Sequence, residues 1–121
     1  MENREITLES LTQRLTAFRD ARDWRQFHSL KDLIVSLNLE ASELLELTQW
    51  QGEADFEAAV TEEAVKLKLK EECADVLLYL LLIAERSGID LLAAASDKMG
   101  LNELKYPVEK ARGTARKYTD L

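Results

Sequence analysis

Apolar residues recur along the chain at the three- and four-residue intervals of amphipathic helices. Leu8, Leu11, Leu15 and Phe18 predict a first helix from about Thr7 to Arg22. The segment RDWRQFHSL then breaks the period and concentrates Trp24, Phe27 and His28, which reads as an irregular, aromatic connection. Leu33, Leu37, Leu44 and Leu47 predict a second helix from about Leu30 to Trp50. It is expected to stop at Gly52, a residue suited to the left-handed conformation that closes helices, with QGEADFEAAV as the following loop. Val65, Leu69, Val76, Tyr79 and Ile83 mark a third helix from about Thr61 to Arg86, ahead of Gly88. Glu62 and Glu63 at its start and Arg86 at its end match the helix dipole. Asp90 is a suitable N-cap for a fourth helix through about Tyr106, after which Pro107 and Gly113 mark an irregular tail.

Composition narrows this to an all-α fold. With four glycines and one proline the chain is too poor in turn formers for an all-β sandwich, and 121 residues suit one domain spanning 1–121. Hydrophobic residues make up 46% and charged residues 32%, enough for a real core. The longest apolar run, Val76 to Ala84, is far short of the roughly 20 residues of a membrane span, so no membrane partner is expected. MENREITLES lacks the basic start and apolar stretch of a secretory signal, which points to a cytoplasmic address. Cys73, the lone cysteine, lies in an apolar helical pattern and is expected to be a small buried filler. The net charge of −7 is uneven: residues 98–121 carry +3 and the preceding residues −10. An acidic body argues against nucleic acid, while the basic tail could clasp a small polyanion.

Two of the apolar stripes are interrupted by acids. Glu40 fills the gap between Leu37 and Leu44, and Glu43 follows three residues later on the same surface. Glu72 interrupts the stripe of the third helix in the same way, with Asp75 three residues on. Acids at this spacing are common on solvated helix faces, but here both pairs fall on apolar stripes. Four ionised carboxylates facing one another in a dry interior would repel, which proteins tolerate by protonation or by a cation. Without cysteine or a second histidine, the donor set favours Mg2+, or Mn2+, over zinc.

The pattern Glu40-Ala41-Ser42-Glu43, then 28 residues, then Glu72-Cys73-Ala74-Asp75 resembles the E-x-x-E…E-x-x-D signature of MazG-type pyrophosphohydrolases. RDWRQFH, ELTQW, ADVLLYLL and KYPVEKARGTARKYTD further resemble the dCTP pyrophosphatase branch, from about Leu8 onward. The resemblance implies a four-helix MazG-like bundle with a basic C-terminal tail, assembling as a homodimer or as a dimer of dimers. It implies that Glu40, Glu43, Glu72 and Asp75 hold magnesium beside a nucleoside triphosphate. Trp24, Arg25, Gln26, Phe27, His28, Trp50 and Tyr79 would line the base and sugar pocket, and Lys98, Asn102 and Tyr106 would approach the charged end. Aromatic faces stack on any base, whereas selection needs a few polar groups such as His28. The resemblance also implies a histidine on the first helix of mammalian members where this chain has Leu15, so the base preference is left open.

The resemblance implies hydrolysis between the α and β phosphates, and Glu43 is the acid expected to accept a proton from the attacking water. Arg112, Arg116 and Lys117 could meet the phosphates. A di-iron carboxylate bundle would need two histidine ligands, and this chain has one histidine. A non-catalytic, self-associating helical module is the alternative, since apolar stripes with scattered acids also suit such a bundle.

Overall fold

The computed structural model describes residues 5–121, which contain six α-helices, two single-turn 3-10 helices and no strand. The α-helices are α1 (Leu8–Ala21), α2 (Leu30–Glu46), α3 (Glu53–Ala59), α4 (Glu63–Ser87), α5 (Leu91–Lys105) and α6 (Val108–Ala111). The 3-10 turns cover Arg25–Phe27 and Tyr118–Asp120. Two compact units divide the chain, one ending at Gly88 and the other running Ile89–Leu121. No helix among the described residues is long and apolar enough to cross a membrane.

In the first unit α2 packs on α4, and α1 packs on α4 less extensively. Leu33 of α2 and Leu81, Leu82 and Ala84 of α4 are its buried hydrophobic side chains. Complete burial of one leucine contributes about 1.5–3 kcal/mol, so a few such positions suffice to hold the pair. α1 begins with a capping box in which Thr7 and Ser10 each accept the other's backbone N–H, at 3.0 and 2.9 Å. Its inward row is Leu8, Leu11, Leu15 and Arg19. Phe18, expected on that stripe, instead faces outward, because three- and four-residue steps from Leu8 through Leu11 and Leu15 reach position 19 as readily as 18.

α2 is capped by Ser29, whose hydroxyl accepts the Asp32 N–H at 3.1 Å. It ends at Glu46, four residues earlier than periodicity suggests. Glu40, Glu43 and Glu46 crowd its C-terminal half, where the dipole disfavours anions and no base stands in the last turn. The chain tightens there into three-residue turns, and the Thr48 hydroxyl donates to the Leu45 carbonyl at 2.7 Å. The left-handed residue that follows is Trp50 (φ 66°), whereas Gly52 is extended (φ −74°) and caps the start of α3. Thus QGEADFEAAV is largely helical. Glu53 and Asp55 favour its first turn electrostatically, and Phe56, Ala59 and Val60 form a half-buried face at i, i+3 and i+4. α4 ends at Gly88 in the left-handed conformation (φ 69°), as expected.

In the second unit Asp90 caps α5, its carboxylate accepting the Ala93 N–H at 3.1 Å. The tail after Pro107 is less irregular than its composition suggests, since it holds α6 and the turn Tyr118–Asp120. Tyr118 packs edge-on against Tyr106 at 6.0 Å, with the Lys105 ammonium 4.9 Å from the Tyr118 ring.

Candidate metal and nucleotide site

The α2–α4 pair brings acids from both helices together. One carboxylate oxygen each from Glu40, Glu43 and Glu72 lies within 4.8 Å of the others. Oε2 of Glu40 and Oε2 of Glu72 are shielded from solvent and make no hydrogen bond. Burial first, and then the close Glu43 carboxyl and the charges of Asp75 and Glu72, push the Glu40 carboxyl above the ordinary range. Glu72 is pushed up for the same reasons, by the loss of hydration first and then by Glu43, Asp75 and Glu71. Asp75, half-buried, acts on both through its charge but stays outside the tightest group; its side chain is one methylene shorter than a glutamate's.

Shielded anionic oxygens without donors are costly unless a proton or a cation satisfies them. The donors are all hard oxygens, with neither sulfur nor imidazole in the group. Such a set fits a divalent cation of the magnesium type better than zinc. Cys73, expected to be buried, is exposed. The helix turns it away from the face that carries Glu72, Val76 and Tyr79, since adjacent residues lie about 100° apart around a helix.

The remaining predicted site residues fall into four places. Tyr79 is half-buried on α4, one turn beyond Asp75 and two beyond Glu72, so it continues the acid face. Trp24, Arg25, Gln26 and Phe27 are exposed around the 3-10 turn, and His28 is half-buried with its Nδ1 shielded and unbonded. The Trp24 ring stands edge-on to Phe18 at 5.7 Å, and the Arg22 guanidinium lies 3.6 Å from the Phe18 ring centre. Trp50 is 93% exposed, just beyond α2. Lys98, Asn102 and Tyr106 belong to the second unit, at successive four-residue steps of α5 and its C-cap.

Sequence reasoning overlooked Arg19, the one buried charged side chain among the described residues at 4% exposure. Its guanidinium bonds Glu85 of α4 at 3.0 Å and Asp20 at 2.8 Å. The signal was present: position 19 extends the row Leu8, Leu11, Leu15, and a base on an apolar row calls for an acid on a neighbouring helix.

Comparison with known proteins relates the chain to nucleotide pyrophosphohydrolases. The MazG-like family model matches residues 35–121. The chain is 41% identical to dCTP pyrophosphatase 1 of Rattus norvegicus and 38% identical to that of Homo sapiens. Each match covers 97% of this chain and 69% of the relative. It is also similar to the crystal structure of a pyrophosphatase from Archaeoglobus fulgidus, with a TM-score of 0.78 and 40% identity over 88% of this chain and 98% of the other.

Proposed function

From the premise that this chain belongs to the MazG-like family, we propose that it is a magnesium-dependent nucleoside triphosphate pyrophosphohydrolase acting on dCTP or a related deoxynucleotide. Its products are the monophosphate and pyrophosphate, and its role is removal of unwanted nucleotides from the cytoplasmic pool. Both compact units belong to one functional domain, since the family match crosses from one into the other.

The observation that carries this reading is the pair of shielded, partnerless carboxylate oxygens on α2 and α4, drawn together with Glu43. Glu40, Glu43, Glu72 and Asp75 would hold the cation. A divalent cation bound there supplies neutralisation of phosphate charge and a more acidic water. Glu43, the exposed member of the group, accepts the proton of the attacking water. Trp24 through His28, Trp50 and Tyr79 hold the base and sugar. Lys98, Asn102 and Tyr106 orient the charged end, and the cations of the tail offset charge on the leaving pyrophosphate. No protein nucleophile takes part.

Assembly as a homodimer or homotetramer belongs to the same reading. Ile34, Val35, Leu39 and Leu45 of α2 are large apolar side chains left exposed, as are Leu92, Met99, Leu101 and Leu104 of α5. Rows of that kind are unfavourable in water and are covered by association. A purely self-associating module would leave the facing carboxylates without a role. The decisive experiment supplies each standard and several modified triphosphates with magnesium and quantifies monophosphate and pyrophosphate. Release of orthophosphate instead, or no turnover of any nucleotide, would end the proposal.

A further inference from the structure

The buried Arg19 sits where two structural duties meet. Its side chain crosses to α4, where Nη1 donates to Oε2 of Glu85 at 3.0 Å, while Nε donates to Oδ1 of Asp20 at 2.8 Å. Its backbone carbonyl closes the turn into the aromatic connection, accepting the N–H groups of Arg22 at 3.2 Å and Trp24 at 3.1 Å. Asp23, in the left-handed region (φ 54°), reverses the chain at that point. The Gln26 side-chain amide then donates to the Asp23 carbonyl and carboxylate at 3.1 and 2.9 Å. Phe27 and His28 donate their N–H groups to the carbonyls of Trp24 and Arg25 at 2.9 and 3.0 Å. Hydrogen bonds therefore run without a break from Glu85 through Arg19 into the segment Trp24–His28.

Arg19 stands two residues from the end of α1, where an isolated helix frays. Glu85 stands ten residues beyond Asp75 on the same uninterrupted helix, which at the helical rise is roughly 15 Å. The guanidinium spans two carboxylates, one N–H to each, so its place is fixed from both α1 and α4. It transmits the position of α4 to the last turn of α1 and so to the turn that follows.

We propose that Arg19 and Glu85 are positioning residues for nucleoside recognition: their ion pair clamps the end of α1 to α4 and thereby holds Trp24–His28 in register with the carboxylates on the same helix. The inference rests on the reading of Trp24–His28 as nucleoside contacts. Neither Arg19 nor Glu85 belongs to the acid cluster, so their loss acts on the place of the loop and leaves that cluster intact.

The test measures steady-state kinetics, magnesium activation and backbone hydrogen exchange on Glu85→Ala, Arg19→Met, Glu85→Gln and Trp24→Ala. Glu85→Ala and Arg19→Met should each raise KM for the preferred triphosphate on the order of tenfold, with kcat within about twofold. The magnesium concentration for half-activation should not change. Glu85→Gln, which keeps an acceptor for Nη1, should recover KM to within about threefold of the parent. Amides of Trp24–His28 should exchange at least about tenfold faster in Glu85→Ala, while those of α2 around Glu40 keep the parent rates. Should Glu85→Ala fail to fold, Arg19→Met, which fills the same space with a neutral chain, decides the matter. Lower melting temperatures with KM and loop exchange at parent values would reduce the pair to a structural role and overturn the inference. If Trp24→Ala changes KM but the clamp variants do not, the inference fails alone. If Trp24→Ala also leaves KM unchanged, the nucleoside reading of the loop fails first.

Discussion

Trp50 offers the sharpest separation of binding from folding in this chain. Its backbone is left-handed (φ 66°) and its indole is 93% exposed, so the residue carries backbone strain and buries almost nothing within the subunit. For a bulky L-residue that conformation costs about 1–2 kcal/mol relative to a right-handed one. Glycine adopts it freely. Trp50→Gly should therefore gain about 1 kcal/mol, which for a chain of this size raises Tm by roughly 3–6 °C. Trp50→Ala keeps a Cβ and hence most of the strain, so it should melt within about 0.5 kcal/mol of the parent. Catalysis should move the other way. Loss of a base-stacking ring costs roughly 1–3 kcal/mol, or about a five- to 150-fold rise in KM. The breaking bond is remote from the base, so kcat should fall much less. Both variants should handle inorganic tripolyphosphate, which has no base, as the parent does. Thermal melts and kinetics on the same preparations check the argument. A fall of many degrees for both variants, or a KM unchanged in Trp50→Ala, would refute it.

Three further outcomes are expected. Glu40→Gln and Asp75→Asn should each lower turnover at least about 100-fold while circular dichroism keeps the helical signature, because each removes charge from a cation ligand; near-normal activity at low magnesium would remove that residue from the site. The raised Glu40 and Glu72 carboxyls stabilise the metal-free fold below the unfolded glutamate value, and that contribution is lost as pH rises through their folded values. Melts in chelator should accordingly show the parent losing stability relative to Glu40→Gln as pH rises above the unfolded glutamate value, with magnesium closing the gap at the upper end; parallel curves would contradict it. Light scattering at micromolar concentration should find a species larger than a monomer, and Leu39→Lys combined with Leu45→Lys should shrink it; an active, monomeric parent would dispose of the oligomer.

The long helices were legible because their information is local. Leu33, Leu37, Leu44 and Leu47 fall on one face of α2 whatever packs against them, and Gly88 and Asp90 mark a helix end and a helix start by backbone preference alone. The acids were legible for the same reason: Glu40 and Glu72 interrupt apolar periods, and a charge in that position calls for a counterion wherever the helix lies. Periodicity could not see that α2 would stop at Glu46, that Trp50 would carry the left-handed turn, or that Gly52 would open a further helix. Those choices depend on electrostatic strain at the end of α2 and on Phe56, Ala59 and Val60 finding a surface to cover.

Period and chemistry along the chain thus determined the helical class, the inward acids and the hard-oxygen character of the candidate site, because helix geometry converts spacing directly into a shared face. Only the tertiary structure decided which acids meet within 4.8 Å, that Cys73 faces outward, and that Arg19 rather than Phe18 turns inward to find Glu85. Those outcomes join residues as far as 66 positions apart, and such partners are set by how helices pack, which no local spacing encodes.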